Sequence, residues 1–182
     1  MKNKQIMMDI RYLRMARIWS ENSYAIRLKV GCLIVSKDGS IIADGYNGTP
    51  SGFENVCEYA SNDNLESLNT NSSDAEQRDY LLYSFQRKRI ELITKPYVLH
   101  AEANAITKLA RSSQSSEGAT LYCTDMPCME CSKLIIQARI ARVVYERPYR
   151  IDDGVRILER AGVEVVNIPT DVINHFVRKV EE

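Results

Sequence analysis

An α/β fold, with a mixed sheet covered by helices on both faces in three α/β/α layers, is what this sequence predicts. Three observations carry the prediction: an apolar hairpin early in the chain, a later alternation of helix-forming and strand-forming segments, and no internal repeat. The 182 residues suit one domain and are enough to bury a core.

Residues 6–21 read as a helix, with Ile6, Ile10, Leu13 and Ala16 in an imperfect stripe that Tyr12, Met15 and Trp19 reinforce. Apolar runs over 30–35 and 40–45 flank Lys37-Asp38-Gly39, a hairpin turned at a D-G pair. Residues 54–97 read as an insertion, and insertions of this length are often functional. Its first half, from Ser61 to Asp74, is polar and expected to be a mobile loop. Its second half is expected to be helical over 79–93, with Leu81, Leu82 and Phe85 on one side. Beyond it come a helix opening at His100, a strand over 119–124 and a helix opening at Pro127. A strand over 142–146, a helix over 152–161, a strand over 163–167 and a helix over 170–182 complete the chain.

Composition narrows the class. Acidic and basic side chains number 24 each, and a zero net charge argues against a dedicated nucleic-acid binder. No apolar run approaches the ~20 residues that span a membrane. The amino terminus lacks the apolar core of a signal peptide. Five cysteines, an odd number with two in a C-x-x-C pair, argue against a disulfide framework and for a reducing cytoplasm. Cys32 and Cys123 fall in strand patterns as core thiols, Cys57 falls in a polar loop without a role, and His175 has no chemical role.

The chemistry lies in two short segments. In Pro127-Cys128-Met129-Glu130-Cys131 a helix turning about 100° per residue brings both thiols to one side, with Pro127 suited to the first helical position. The positive end of that helix favours thiolates, the form that binds metal. His100 and Glu102, two apart, point in different directions within a helix, so the pair belongs at a helix start. His100, Cys128 and Cys131 are therefore candidate zinc ligands that leave a fourth position for water. Glu102 is the candidate catalytic acid and base, a role that a structural zinc does not need. The competing reading is a structural zinc staple, or no metal. It requires a fourth ligand, and the nearest, Cys123, lies in a strand pattern.

H-x-E followed by P-C-x-x-C is the signature of zinc-dependent nucleobase deaminases. Together with Gly45-Tyr46-Asn47-Gly48-Thr49-Pro50-Ser51-Gly52, it makes the chain resemble the deoxycytidylate (dCMP) deaminase family from about residue 6 to 168, apart from the insertion. The resemblance implies a cytidine deaminase-like fold with a five-stranded sheet and conversion of dCMP to dUMP for dTMP synthesis. It also implies activation by dCTP, inhibition by dTTP and a homo-oligomer, often a hexamer.

By the same resemblance Asn47 contacts the deoxyribose 3′-hydroxyl, Arg27 and Lys29 help hold the 5′-phosphate, and Ala101 and Tyr149 border the substrate. Arg111 is a further phosphate or interface candidate. Gly48, Pro50, Gly52 and Phe53 fall where the family places its effector nucleotide, usually with Mg²⁺. The basic run Arg87-Lys88-Arg89 reads better as a solvated helix face than as part of that site. Some relatives carry a second zinc through extra Cys and His residues; the insertion here has no histidine and one cysteine, which predicts a single zinc per chain.

Two rivals stand beside this reading. A tRNA adenosine deaminase would suit the stretch 137–145, and steep salt dependence of tRNA binding would reveal it. A non-catalytic zinc protein serving as an interaction module predicts that Glu102→Gln leaves every function intact.

Overall fold

The computed structural model describes residues 2–61 and 72–181. Helix α1 (Lys2–Ser20) precedes a hairpin of β1 (Gly31–Val35) and β2 (Ile41–Tyr46). The insertion holds β3 (Glu58–Ala60), α2 (Asp74–Gln86) and β4 (Leu92–Thr94). Then α3 (Ala101–Leu109), β5 (Thr120–Asp125), α4 (Met129–Gln137), β6 (Arg142–Arg147), α5 (Asp153–Arg160), β7 (Glu164–Asn167) and α6 (Thr170–Glu181) alternate to the end.

The main sheet is five-stranded and mixed, in the order β2-β1-β5-β6-β7. β1 runs antiparallel to both β2 and β5, whereas β5, β6 and β7 are parallel to one another. At the hairpin Gly39 adopts φ +88°, the left-handed conformation that a D-G turn uses glycine for.

Every residue of β1 is buried, because alternate side chains enter two different cores. Cys32 and Ile34 pack with Ala105 of α3, Ile135 of α4 and Leu158 of α5. Leu33 and Val35 pack with Ile10 and Leu13 of α1 and Ile173 of α6. Within the second layer the Asp9 carboxylate meets the Arg142 guanidinium through two bonds, 2.8 and 2.9 Å, and also accepts from Tyr122 and Gln5. No helix among the described residues is long and apolar enough to cross a membrane.

The insertion departs from expectation in three respects. The helix expected over 79–93 begins earlier and ends earlier, at Asp74–Gln86. Ser73 and Glu76 form a reciprocal capping box that starts it, and Lys88 then takes φ +54°, turning the chain into β4. On that helix Leu81 is fully buried and shares its inner side with Ser84, while Leu82 and Phe85, expected beside it, are exposed. Cys57, expected in a polar loop, is buried beside Val56, and burial pushes its thiol up to about 11. The centre of the polar loop, residues 62–71, lies outside the described residues. β3 and β4 pair antiparallel as a small second sheet, with Glu58 opposite Thr94.

Candidate metal and active site

Two helix N-termini meet at the carboxyl-end side of the sheet. His100 is the N-cap of α3 and Cys128 the N-cap of α4, both in extended conformation at φ −72° and −75°. A polar N-cap side chain ordinarily bonds the first free N–H groups of its helix. Neither His100 nor Cys128 does so, which leaves both side chains to face each other. Cys131 follows one turn into α4. Pro127 stands before the cap and not at the first helical position, because Cys128 itself keeps extended backbone.

The Sγ atoms of Cys128 and Cys131 both lie 3.4 Å from His100 Nδ1, and all three donor atoms fall within 4.8 Å of one another. A tetrahedral zinc with usual Zn–N and Zn–S bonds holds such N and S atoms about 3.6 Å apart, so the donor set fits the ion in type and spacing. Among the described residues no fourth His, Cys or carboxylate joins the cluster. Three ligands with an open fourth position is the arrangement of a catalytic zinc.

Glu102, in the first turn of α3, is buried, and burial pushes its carboxyl up to about 7 against the opposing pull of its own backbone N–H and of His100. Hydrogen bonds from Cys131 and His100 lower the Cys128 thiol to about 3. The Cys128 thiolate beside it, with burial, in turn raises Cys131 far above the ordinary thiol range. The His100 imidazole is raised by Cys128. A divalent cation held by His100, Cys128 and Cys131 would take the place of the shared protons.

Two glycines set the helix positions from behind. A Cβ on Gly45 of β2 would stand 2.1 Å from the Ala101 carbonyl oxygen, and one on Gly154 of α5 would stand 2.2 Å from that of Pro127. Arg147 ties the same region together: it pairs with Asp125 at the end of β5, donates to the Lys29 carbonyl, and accepts from the Met126 N–H. Gly45 opens the motif that carries the resemblance but had no role of its own there, and Gly154 and Arg147 were not visible as site elements in the sequence. The only signal was glycine within otherwise regular patterns, which marks close backbone approach.

The remaining candidates divide into two groups. Ala101 is fully buried between His100 and Glu102. Asn47 clasps the preceding loop: its Oδ1 accepts from the Val30 N–H at 2.8 Å and its Nδ2 donates to the Leu28 carbonyl at 2.8 Å. That loop carries Arg27 and Lys29, both exposed, with the Lys29 ammonium donating to the Glu21 carbonyl. Tyr149, 68% exposed, lies between β6 and α5. Gly48, Pro50, Gly52 and Phe53 line a separate cavity of about 520 Å³ with Lys108 and Arg111. Arg111 thus lies past the far end of α3 from His100, apart from the metal ligands.

The model of the cytidine and deoxycytidylate deaminase zinc-binding region matches residues 6–147. The deoxycytidylate deaminase of Enterobacteria phage T4 is 34% identical over 89% of this chain and 90% of its own. That of Saccharomyces cerevisiae is 30% identical over 86% of this chain and 43% of its own. Among solved structures, the dCMP deaminase of cyanophage S-TIM5 in complex with dCMP and dUMP superposes with a TM-score of 0.66 at 40% identity, covering 87% of this chain and 94% of that one. A bifunctional deaminase/reductase from Thermotoga maritima shares the fold at 20% identity and a TM-score of 0.59, over 96% of this chain and 39% of its own. With its zinc-binding region matched and its His-Cys-Cys cluster formed at two helix caps, the chain belongs to the cytidine and deoxycytidylate deaminase family.

Proposed function

We propose that this protein hydrolyses dCMP to dUMP and ammonia, with one zinc held by His100, Cys128 and Cys131. The observation that carries the reading is Glu102, a buried carboxyl beside the three-ligand cluster but outside it. Zinc at this position supplies a Lewis acid that brings a water's pKa to about 7. Glu102 accepts a proton from the attacking water and delivers it to the ring N3. It then takes the second proton, from the hydroxyl now on C4, and passes it to the exocyclic amine, which leaves as ammonia as the C4–N bond breaks and C4 becomes the carbonyl of uracil. Water enters and ammonia departs, so cytosine becomes uracil with no other reactant. The dUMP formed would feed dTMP synthesis.

Around the base, Ala101 and Tyr149 border the pocket and Asn47 sits by the deoxyribose. Arg27 and Lys29 meet the 5′-phosphate, for which the fork of an arginine is suited. The cavity at Gly48–Phe53, with Lys108 and Arg111 on its wall, would receive dCTP as activator or dTTP as inhibitor, with Mg²⁺ on the triphosphate. The protein acts as a cytoplasmic homo-oligomer, each chain one deaminase domain with its insertion at 54–97.

The test is ammonia release from dCMP, deoxycytidine, cytidine and adenosine-containing RNA, each with and without dCTP and Mg²⁺. Turnover of dCMP, raised by dCTP and suppressed by dTTP, is the expected result. Turnover of adenosine in RNA alone would overturn the reading, and dCMP turnover indifferent to effectors would remove the regulatory part.

A further inference from the structure

We infer that Glu58 and Thr94, a cross-strand pair in the insertion, are positioning residues for Arg27 and thereby set the preference for a phosphorylated nucleotide over its nucleoside. The inference rests on the reading of Arg27 as the phosphate contact. Between α1 and β1 the chain has no regular structure, and its shape is imposed by side chains from elsewhere. Asn47 holds Leu28 and Val30, and Ser23 bonds the Asn47 carbonyl. The turn at Ile26 and Arg27 is held by the insertion instead. Glu58 Oε1 accepts the Ile26 N–H at 3.0 Å and the Arg27 N–H at 3.1 Å.

Thr94 stands opposite Glu58 in the β3–β4 register, and its Oγ1 accepts from the Arg27 guanidinium at 3.0 Å. One cross-strand pair therefore grips Arg27 at both ends, backbone and fork. Glu58 is only 2% exposed, and its second oxygen, Oε2, is buried with no hydrogen-bond partner among the described residues. Burying a carboxyl group is costly unless hydrogen bonds offset the lost hydration, and the bonds that Glu58 makes go to the backbone that carries Arg27.

The acid does not reach the guanidinium. Among the described residues Arg27 forms no ion pair, and its fork rests on an uncharged hydroxyl. The hydroxyl orients the cation without neutralising it, so most of its five N–H donors stay available to an anion. The insertion thus reaches the substrate through Arg27 without lining the metal site.

The experiment measures KM and kcat for dCMP and deoxycytidine, with calorimetric binding of dUMP and deoxyuridine as a readout independent of turnover. In Thr94→Val, an exposed and nearly isosteric change, the dCMP KM should rise about fivefold with kcat within about twofold, and deoxycytidine should be unaffected. Thr94→Ser should restore it, and Arg27→Ala/Thr94→Val should be no worse than Arg27→Ala. Glu58→Ala should move the same parameter, and Glu58→Gln, which keeps an acceptor oxygen, should not. Zinc-loaded Thr94→Val with an unchanged dCMP KM, or with an equal loss on deoxycytidine, overturns the positioning role even where Glu58→Ala fails to fold. If Arg27→Ala abolishes the preference for dCMP while Thr94→Val keeps it, the clamp stands and the positioning falls. An Arg27→Ala enzyme that keeps the preference overturns both.

Discussion

Gly154 and Pro127 touch where no side chain could fit: the Pro127 carbonyl oxygen occupies the space a Cβ on Gly154 would need, at 2.2 Å, with Ser132 Oγ only 2.9 Å away. Gly154→Ala should therefore push α5 off the turn that carries Cys128. Overpacking of this kind costs about 1–3 kcal/mol, and here the displacement falls on a metal ligand. Zinc affinity, measured by competition with a chromophoric chelator, should drop about tenfold or more, a loss equivalent to about 1.4 kcal/mol or more. Unchanged affinity in a destabilised protein would show that α5 only supports the fold.

Glu102→Gln keeps the size and burial of the side chain but cannot shuttle protons. The variant should bind zinc with normal stoichiometry and lose about 10³-fold or more in kcat. Zinc content by atomic absorption and turnover on dCMP decide it together. Turnover within about tenfold of the parent would remove Glu102 from the chemistry.

Zinc binding should strengthen as pH rises through neutrality. The His100 imidazole is raised by Cys128, and Cys131 is raised by the Cys128 thiolate, so both hold protons that the ion must displace. Affinity measured from about pH 6 to about pH 8 should increase throughout, with protons released on binding. Stripped protein should lose turnover and regain it on adding zinc. A pH-independent affinity would mean that the three ligands are already deprotonated in the free protein.

Asp9 and Arg142 set an acid limit on stability. Burial pushes the Asp9 carboxyl up, but hydrogen bonds from Arg142, Gln5 and Tyr122 outweigh it and hold it below its ordinary value. The folded pKa lies below the unfolded value of about 3.9, so the stabilisation is complete above that pH and fades as pH falls through the folded value. Asp9→Asn leaves the Arg142 cation only its more exposed carboxylate partner, Glu164, and should cost about 2 kcal/mol at neutral pH. Its denaturant midpoint should also depend less on pH below about 4 than that of the parent. Parallel acid profiles would place the sensitivity elsewhere.

The metal cluster and the layered sheet were legible because their signals are local and periodic. The C-x-x-C spacing alone puts Cys128 and Cys131 together at one helix start, and β1 with β2 announces itself by two apolar runs about a D-G turn. The insertion was harder to read. The capping box at Ser73 and Glu76 was present in the sequence, yet the apolar residues at 81, 82 and 85 pulled the expected helix toward its carboxyl end. β3 and β4 have three residues each, too few to show an alternation, and their pairing joins segments far apart in the chain. Asn47 entered as a sugar contact implied by the resemblance, but its side chain also clasps Leu28 and Val30, a long-range relation that no spacing reveals.

The capping positions of His100 and Cys128 bear on how the protein comes into being. A zinc finger gathers ligands from one short stretch, so the ion can drive its folding. Here the donors are 28 residues apart at the caps of two different helices, and where they meet is fixed by the sheet on which α3 docks and from whose strand β5 the chain enters α4. Non-local pairings of this kind form slowly. A scaffold that sets its ligands through the sheet could take up its metal after folding, and loading and exchange would then follow the metal supply of its surroundings.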